Sequence, residues 1–230
     1  MEPRSLRYPS RFRDRAEAGR LLAERLGQYR NRNDVMVLAL PRGGVPVGYE
    51  IAAALNLAFD ILVVRKLGLP NHAELAMGAI AGDGIRVLNY ELIRWLNIPD
   101  QTIETVAAKE AVELKRREQV YRAGAPPIDV TDKTVILVDD GIATASSMRA
   151  AVEVSRHRNP AKIIIAVPTA PASSIEELGR EADAVLAYIT PEDFVGVGQW
   201  YDNFGQVSDE TVRDLYQRRK RAPPEAAHDT

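Results

Sequence analysis

Cysteine is absent from the 230 residues, and histidine occurs three times, at His72, His157 and His228. The first absence excludes a thiol nucleophile, a disulfide framework and any Cys-based zinc site. The second argues against a three-His metal centre and leaves a Ser–His–Asp enzyme short of bases. Aromatic residues make up only 6% of the chain. No apolar run approaches the ~18 residues of a membrane span. The opening stretch MEPRSLRYPSRFRDR lacks the apolar core of a secretory signal. Charge of one sign is missing too: 30 Lys+Arg stand against 32 Asp+Glu, a net −2. That balance offers no bulk attraction to nucleic acid or to an anionic membrane. The expectation is a cytoplasmic protein with neither kind of partner. Its chemistry is expected to rest on carboxylates, backbone N–H groups and Lys/Arg, with a hard cation held through oxygen as an option.

What is present is an alternation of strand-length and helix-length patterns. Residues 14–28 read as an amphipathic helix with Ala18, Leu21, Leu22 and Leu26 on one face. Residues 35–40 and 59–64 are apolar runs of buried-strand length, with a helix through Tyr49–Leu55 between them. Residues 67–78 show no clear period and are expected to be a loop. Asp83-Gly84 between two short β-like runs signals a hairpin. A long helix is expected over 100–122, then a Gly/Pro connector, a strand ending at Asp139, and a helix after the small-residue loop. Strands at 162–167 and 184–189, helices near 172–180 and 209–220, and an irregular aromatic stretch at 194–204 complete the pattern. The predicted architecture is α/β, a parallel sheet with helices on both faces. It forms a single domain over residues 1–222 with a small C-terminal hood at about 189–206, and 223–230 is a disordered tail. Ligands of such sheets bind at the carboxyl ends of the strands.

The most informative stretch is Val135–Ser147, VILVDDGIATASS. Two adjacent carboxylates at a strand end repel each other and call for a cation or for hydroxyl donors. The small and hydroxylated residues that follow open a helix, where backbone N–H groups and the helix dipole favour a phosphate. A sugar phosphate satisfies both halves. An ordinary strand–loop–helix turn with a Ser/Thr cap is the plainer alternative. A nucleotide triphosphatase is another, but the chain has no Gly-Lys dipeptide and so no G-x-x-x-x-G-K-[ST] loop, nor a G-x-G-x-x-G.

This stretch resembles the signature of the type I phosphoribosyltransferases. The resemblance implies that Asp139 and Asp140 take the ribose hydroxyls of 5-phosphoribosyl-1-pyrophosphate (PRPP). Ala143, Thr144, Ala145, Ser146 and Ser147 would wrap its 5′-phosphate. Pro41-Arg42-Gly43-Gly44 then corresponds to the pyrophosphate loop, with Arg65 and Lys66 as further pyrophosphate contacts. Arg42, Lys66, Asp139 and Asp140 are the implied catalytic set. His72 and Glu74, in the expected loop, are weaker candidates. The segment Val195-Gly196-Val197-Gly198-Gln199-Trp200-Tyr201-Asp202 resembles the base-binding hood of the hypoxanthine-guanine members. There Val195, Gly196, Trp200 and Tyr201 would face a base, the aromatic rings by stacking; packing into a small core is the alternative. Mg²⁺ is the implied cofactor, held indirectly through substrate or water near Asp139, Asp140 and Asp202.

Departures narrow the reading. Ala145 stands where the family commonly has Gly, and Ala143 where some purine-salvage members carry an acid, so that position offers no general base. The region AVPTAP has no Lys to read an exocyclic oxygen, which counts against a 6-oxopurine. The expected activity is Mg-dependent transfer of a phosphoribosyl group to a nitrogen nucleophile, a nucleobase-like acceptor, by a homodimer. A non-catalytic PRPP sensor is the main rival, and a sugar-phosphate hydrolase a weaker one. In helix 100–122 the pairs Glu113/Arg117 and Glu118/Arg122 suggest a solvated face or a dimer contact. The run Arg218–Arg221 matches the usual basic end of a helix.

Overall fold

The computed structural model describes residues 11–70 and 72–221, without the side chains of 73, 74 and 83. The expected tail at 223–230 lies outside the described residues. A five-stranded sheet organises the chain. Its strands are β1 (Val35–Ala39), β2 (Ala58–Ile61), β6 (Thr134–Val138), β7 (Lys162–Thr169) and β8 (Ala184–Ile189), in the order β2-β1-β6-β7-β8. Every pairing in it is parallel. β1 and β6 are buried at all positions, as apolar runs broken only by Thr134 at the start of β6 require.

The period-2 alternation of each strand feeds two cores. Val35, Val37, Ile136, Val138 and Ile164 face one side, against α1 (Arg15–Arg25), α2 (Gly44–Leu55), α4 (Asp100–Arg122) and α7 (Asp209–Arg221). Met36, Leu38, Val135, Leu137, Ile163 and Ile165 face the other, against α5 (Ser146–Arg156) and α6 (Ala172–Leu178). Helices therefore cover both faces, and the expected fold class holds.

Local chemistry explains the helix ends. The Asp14 carboxylate accepts from Glu17 N at 2.8 Å, and the Glu17 carboxylate accepts from Arg13 N at 2.6 Å. The Asp14 cap, with Glu17 reaching back to the residue before it, starts α1 where the sequence pattern places it. α2 stops at Asn56, whose φ of 54° is the left-handed conformation Asn tolerates.

Two expectations are corrected. Residues 67–78 are not a loop: β3 (Val64–Leu69), β4 (His72–Ala81) and β5 (Arg86–Leu88) form a second, antiparallel sheet. Its signal was hidden because the β3–β4 register shifts at Leu67/Gly68 and again at Gly68/Leu69, which breaks alternation. The hairpin expected at Asp83-Gly84 is the β4–β5 connection. A short helix, α3 (Tyr90–Trp95), precedes α4. The second correction concerns α4. Arg122 is only 3% exposed, and its Nε donates to Oδ1 of the fully buried Asp60 at 3.2 Å. Oδ2 of Asp60 accepts from Ile128 N at 2.8 Å. The Arg122 end of the helix is thus anchored in the interior, and that charge is not a solvated one.

Candidate active site

The carboxyl ends of β1 and β6 are neighbours, in register at Ala39 and Val138. The two loops singled out by the sequence therefore leave the sheet side by side. They meet too closely for side chains. A Cβ at Gly43 would fall within the Asp140 carboxylate, and one at Gly44 would lie 2.6 Å from the Val138 carbonyl oxygen and 2.8 Å from Asp139 Cα. At Gly44, where the neighbours are backbone, only glycine permits this approach. The peptide joining Pro41 to Arg42 is cis.

The two acids are half satisfied. Oδ1 of Asp139 accepts from Asp140 N at 2.8 Å. Oδ2 of Asp140 accepts from Arg15 Nε at 2.7 Å, a pair only 12% and 15% exposed. Among the described residues no other N–H donates to either carboxylate, and the two carboxyl groups also contact each other. Burial, and then the charge of Asp140, push the Asp139 carboxyl well above the usual carboxylate range. Arg15 and the Asp140 amide act against that shift.

Downstream, Ala143, Thr144 and Ser147 are exposed and Ser146 is half-buried, while Ile142 and Ala145 anchor the loop in the core. No side chain caps α5. Its first N–H groups thus face outward beside three hydroxyl-bearing residues, a ready anion site. A cavity of about 600 Å³ opens here. Pro41, Arg65, Lys66, Asp139 and Ser147 line it together with one face of α4.

The other predicted residues are placed less simply. Arg42 reaches Asp209 at the start of α7, 3.5 Å away. Asp209 also accepts from Tyr121 Oη at 2.8 Å and from Arg116 at 3.4 Å. Although partial burial opposes it, these bonds hold the Asp209 carboxyl below its usual range. Burial, followed by the bond to Asp209, pushes the Tyr121 phenol up to about 12. Arg65 donates from Nε to Glu110 at 2.7 Å. His72 is exposed on β4, paired with Leu69; the Glu74 side chain lies outside the described residues.

In the hood the expectation for Tyr201 is corrected. Tyr201 is 2% exposed, between Phe12 (centroids 5.4 Å apart) and Phe204 (5.0 Å, stacked). Its hydroxyl donates to the Asp140 carbonyl at 2.6 Å. With both faces covered, the ring cannot stack on a base; it buttresses the acid pair. Burial, then the charge of Asp140, raises its phenol. Trp200 is half-buried, and among the described residues its indole N–H has no partner. Val195 is exposed, and a Cβ at Gly196 would meet open space. Asp202 is exposed and pairs with Arg11 at 3.5 Å.

Sequence reasoning missed Arg15, Asp209 and the cavity face of α4. Arg15 lies 125 positions from Asp140, and no local motif marks it. The α4 face was findable, because Val106, Lys109, Glu110 and Arg117 follow helical spacing.

A glycine-backed acid pair at a strand end stands here beside an uncapped helix and a basic cavity. Comparisons with known proteins show the family. The family model of the phosphoribosyl transferase domain matches residues 13–199. Two Mycobacterium tuberculosis proteins, one from each of two strains, carry the provisional name phosphoribosyl transferase. Each is 43% identical over 215 residues, covering 94% of this chain and 48% of its own length. The chain thus spans about half the length of these curated relatives. The crystal structure of a Thermus thermophilus protein superposes with a TM-score of 0.83 at 40% identity, covering 90% of this chain and 98% of that one. The chain belongs to the phosphoribosyltransferase family, and its five-stranded sheet is the type I fold of that family. No helix among the described residues is long and apolar enough to cross a membrane.

Proposed function

We propose that this chain transfers the 5-phosphoribosyl group of PRPP to a nitrogen nucleophile of a nucleobase-like acceptor, releasing pyrophosphate. The observation that carries the reading is the half-satisfied acid pair beside an uncapped helix. Each carboxylate offers one oxygen to a ribose hydroxyl, and the N–H groups at 143–147 suit the 5′-phosphate. The protein need not supply a nucleophile. Its residues orient the ribose, neutralise the leaving charge and limit water at the reacting carbon. Arg65 and Lys66 serve the pyrophosphate from the cavity wall. Arg42 serves it from the loop, aimed by Asp209.

Oxygen donors of this kind suit Mg²⁺. Among the described residues no group of three or more His, Cys, Asp or Glu could hold a metal. That favours an ion held mainly by substrate oxygens, with Asp139 and Asp140 nearby. Such an ion would neutralise charge on the leaving group. The same reading treats residues 1–222 as one domain in a cytoplasmic homodimer. The exposed Tyr90, Trp95 and Val112 on α3 and α4 offer apolar surface for the second copy.

Calorimetry with PRPP and Mg²⁺, followed by a nucleobase panel monitored for pyrophosphate release, tests the reading. Release that depends on an acceptor is expected. Binding without release for any acceptor would make the chain a PRPP sensor, and release without acceptor a hydrolase. Asp140→Asn should lower turnover by about a hundredfold or more, against ~1–2 kcal/mol of stability for the Arg15 contact it weakens. Unchanged kinetics with a competent acceptor would sink the assignment of Asp140.

A further inference from the structure

The charged helix α4 looks like a solvated strut in sequence, yet one of its faces closes the cavity over the strand ends. Val106, Lys109, Glu110 and Arg117 line that cavity together with Arg65 and Lys66 of β3, Asp139 and Ser147. Two of the four cations in this lining are held by acids on α4. Arg65 donates to Glu110 at 2.7 Å, and Arg117 donates to Glu113 at 2.7 Å. Lys109 differs. Among the described residues it makes no ion pair, although Arg65, Lys66 and Arg117 share its cavity. Gathering like charges in a concave, partly enclosed space is unfavourable unless an anion joins them. The cavity, at about 600 Å³, has the size of a whole-ligand pocket (~300–1,000 Å³).

We propose that α4 is a working wall of the PRPP pocket and that Lys109 contacts the pyrophosphate limb directly. The proposal rests on the functional reading above and extends it to a helix outside the strand-end loops. Arg65 and Lys66 approach the pyrophosphate from β3 and Lys109 from the facing helix, so the leaving group is held from two sides. A lysine suits this task because its flexible stem can follow the pyrophosphate as it departs.

The test titrates inorganic pyrophosphate with Mg²⁺ into the full chain by calorimetry. Lys109→Gln should weaken binding about tenfold, the usual worth of one charge-assisted contact. Lys109→Arg should stay within about threefold of the parent, since it keeps the charge. Lys115→Gln removes the same charge from another face of the same helix and should leave binding unchanged within about twofold. Lys109 is exposed, so thermal midpoints of all three variants should match the parent. If Lys109→Gln binds like the parent, or if Lys115→Gln loses as much, the assignment of Lys109 is wrong and the reading of the strand-end loops stands. If the parent binds no pyrophosphate, both fall together.

Discussion

The floor of the site and its N-terminal buttress are built on opposite plans. On the floor, the loops at 41–44 and 139–147 approach through glycine, leave carboxylate oxygens without an N–H donor among the described residues and expose an uncapped helix. In the buttress, Phe12 and Tyr201 pair as a parallel bridge, and Phe12 N donates to the Trp200 carbonyl at 2.8 Å. Arg15 binds Asp140 and the Gly205 carbonyl, with its guanidinium 4.0 Å from the Phe204 ring centroid. Polar groups in the buttress are largely spent on the protein, and those on the floor are held back. The contrast separates the part that receives a ligand from the part that fixes its geometry. Except at Gly44, where an added methyl would meet backbone, substitutions on the floor should therefore cost function before stability, and those in the buttress the reverse.

The largest effect on ligand affinity is expected at Gly43. A methyl there falls on the Asp140 carboxylate, which can swing aside at the expense of its bond to Arg15. Gly43→Ala should lower PRPP affinity by about a hundredfold (~2.7 kcal/mol), measured by calorimetry. The neighbouring Gly44→Ala meets backbone atoms that cannot swing. It should cost about 3 kcal/mol of stability in denaturant melts. Equal effects of both would erase the distinction between the floor's two glycines.

Asp139→Asn comes next and should split stability from function. The folded pKa of Asp139 is raised by burial and by Asp140, so the fold favours its protonated form. That stabilising preference is complete below the unfolded value of 3.8 and is lost as pH rises through the folded value. At neutral pH the charged carboxylate therefore weighs against folding. Asn cannot ionise, so the variant should melt higher than the parent at neutral pH. The gap should close toward the unfolded pKa, while PRPP affinity falls. A variant that melts lower than the parent at neutral pH would show that Asp139 is no such liability.

Tyr201→Phe tests the buttress. It deletes one buried hydrogen bond, the 2.6 Å contact to the Asp140 carbonyl, and keeps the ring. The expected cost is about 1 kcal/mol of stability with PRPP affinity within about threefold of the parent. A loss of affinity as large as that of Gly43→Ala would mean that the buttress itself contacts the ligand.

The floor was legible in the sequence because its chemistry is consecutive. Asp139, Asp140 and the residues to Ser147 form one uninterrupted stretch, and Gly43-Gly44 follows a recognisable strand. The parallel sheet was legible for a similar reason, since Val35–Ala39 and Val135–Val138 are unbroken apolar runs. What escaped depends on distant pairing. Arg15 reaches Asp140 across 125 positions, and Tyr201 reaches the same residue across 61. In sequence Tyr201 is simply an aromatic in an irregular stretch, equally suited to a base or to a core. The second sheet escaped because its register shifts scramble the alternation that marks a strand.

Glu113 offers the mildest test, on the wall between these two plans. It accepts from Arg116 Nε at 2.8 Å and from Arg117 Nε at 2.7 Å. Those bonds, Arg116 first and Arg117 second, lower its carboxyl from 4.5 to about 2. A depressed carboxylate stabilises the fold above its unfolded pKa, and the contribution is lost as pH falls through the folded value. The acid limb of the stability profile between 4.5 and about 2 should therefore be shallower in Glu113→Gln. The effect is small because the pair is solvated. Function should respond in the other direction. Arg117 lines the cavity, and freeing it from Glu113 adds an available cation beside Lys109. Pyrophosphate affinity should hold or rise while acid stability falls slightly, a combination that a purely structural helix would not produce.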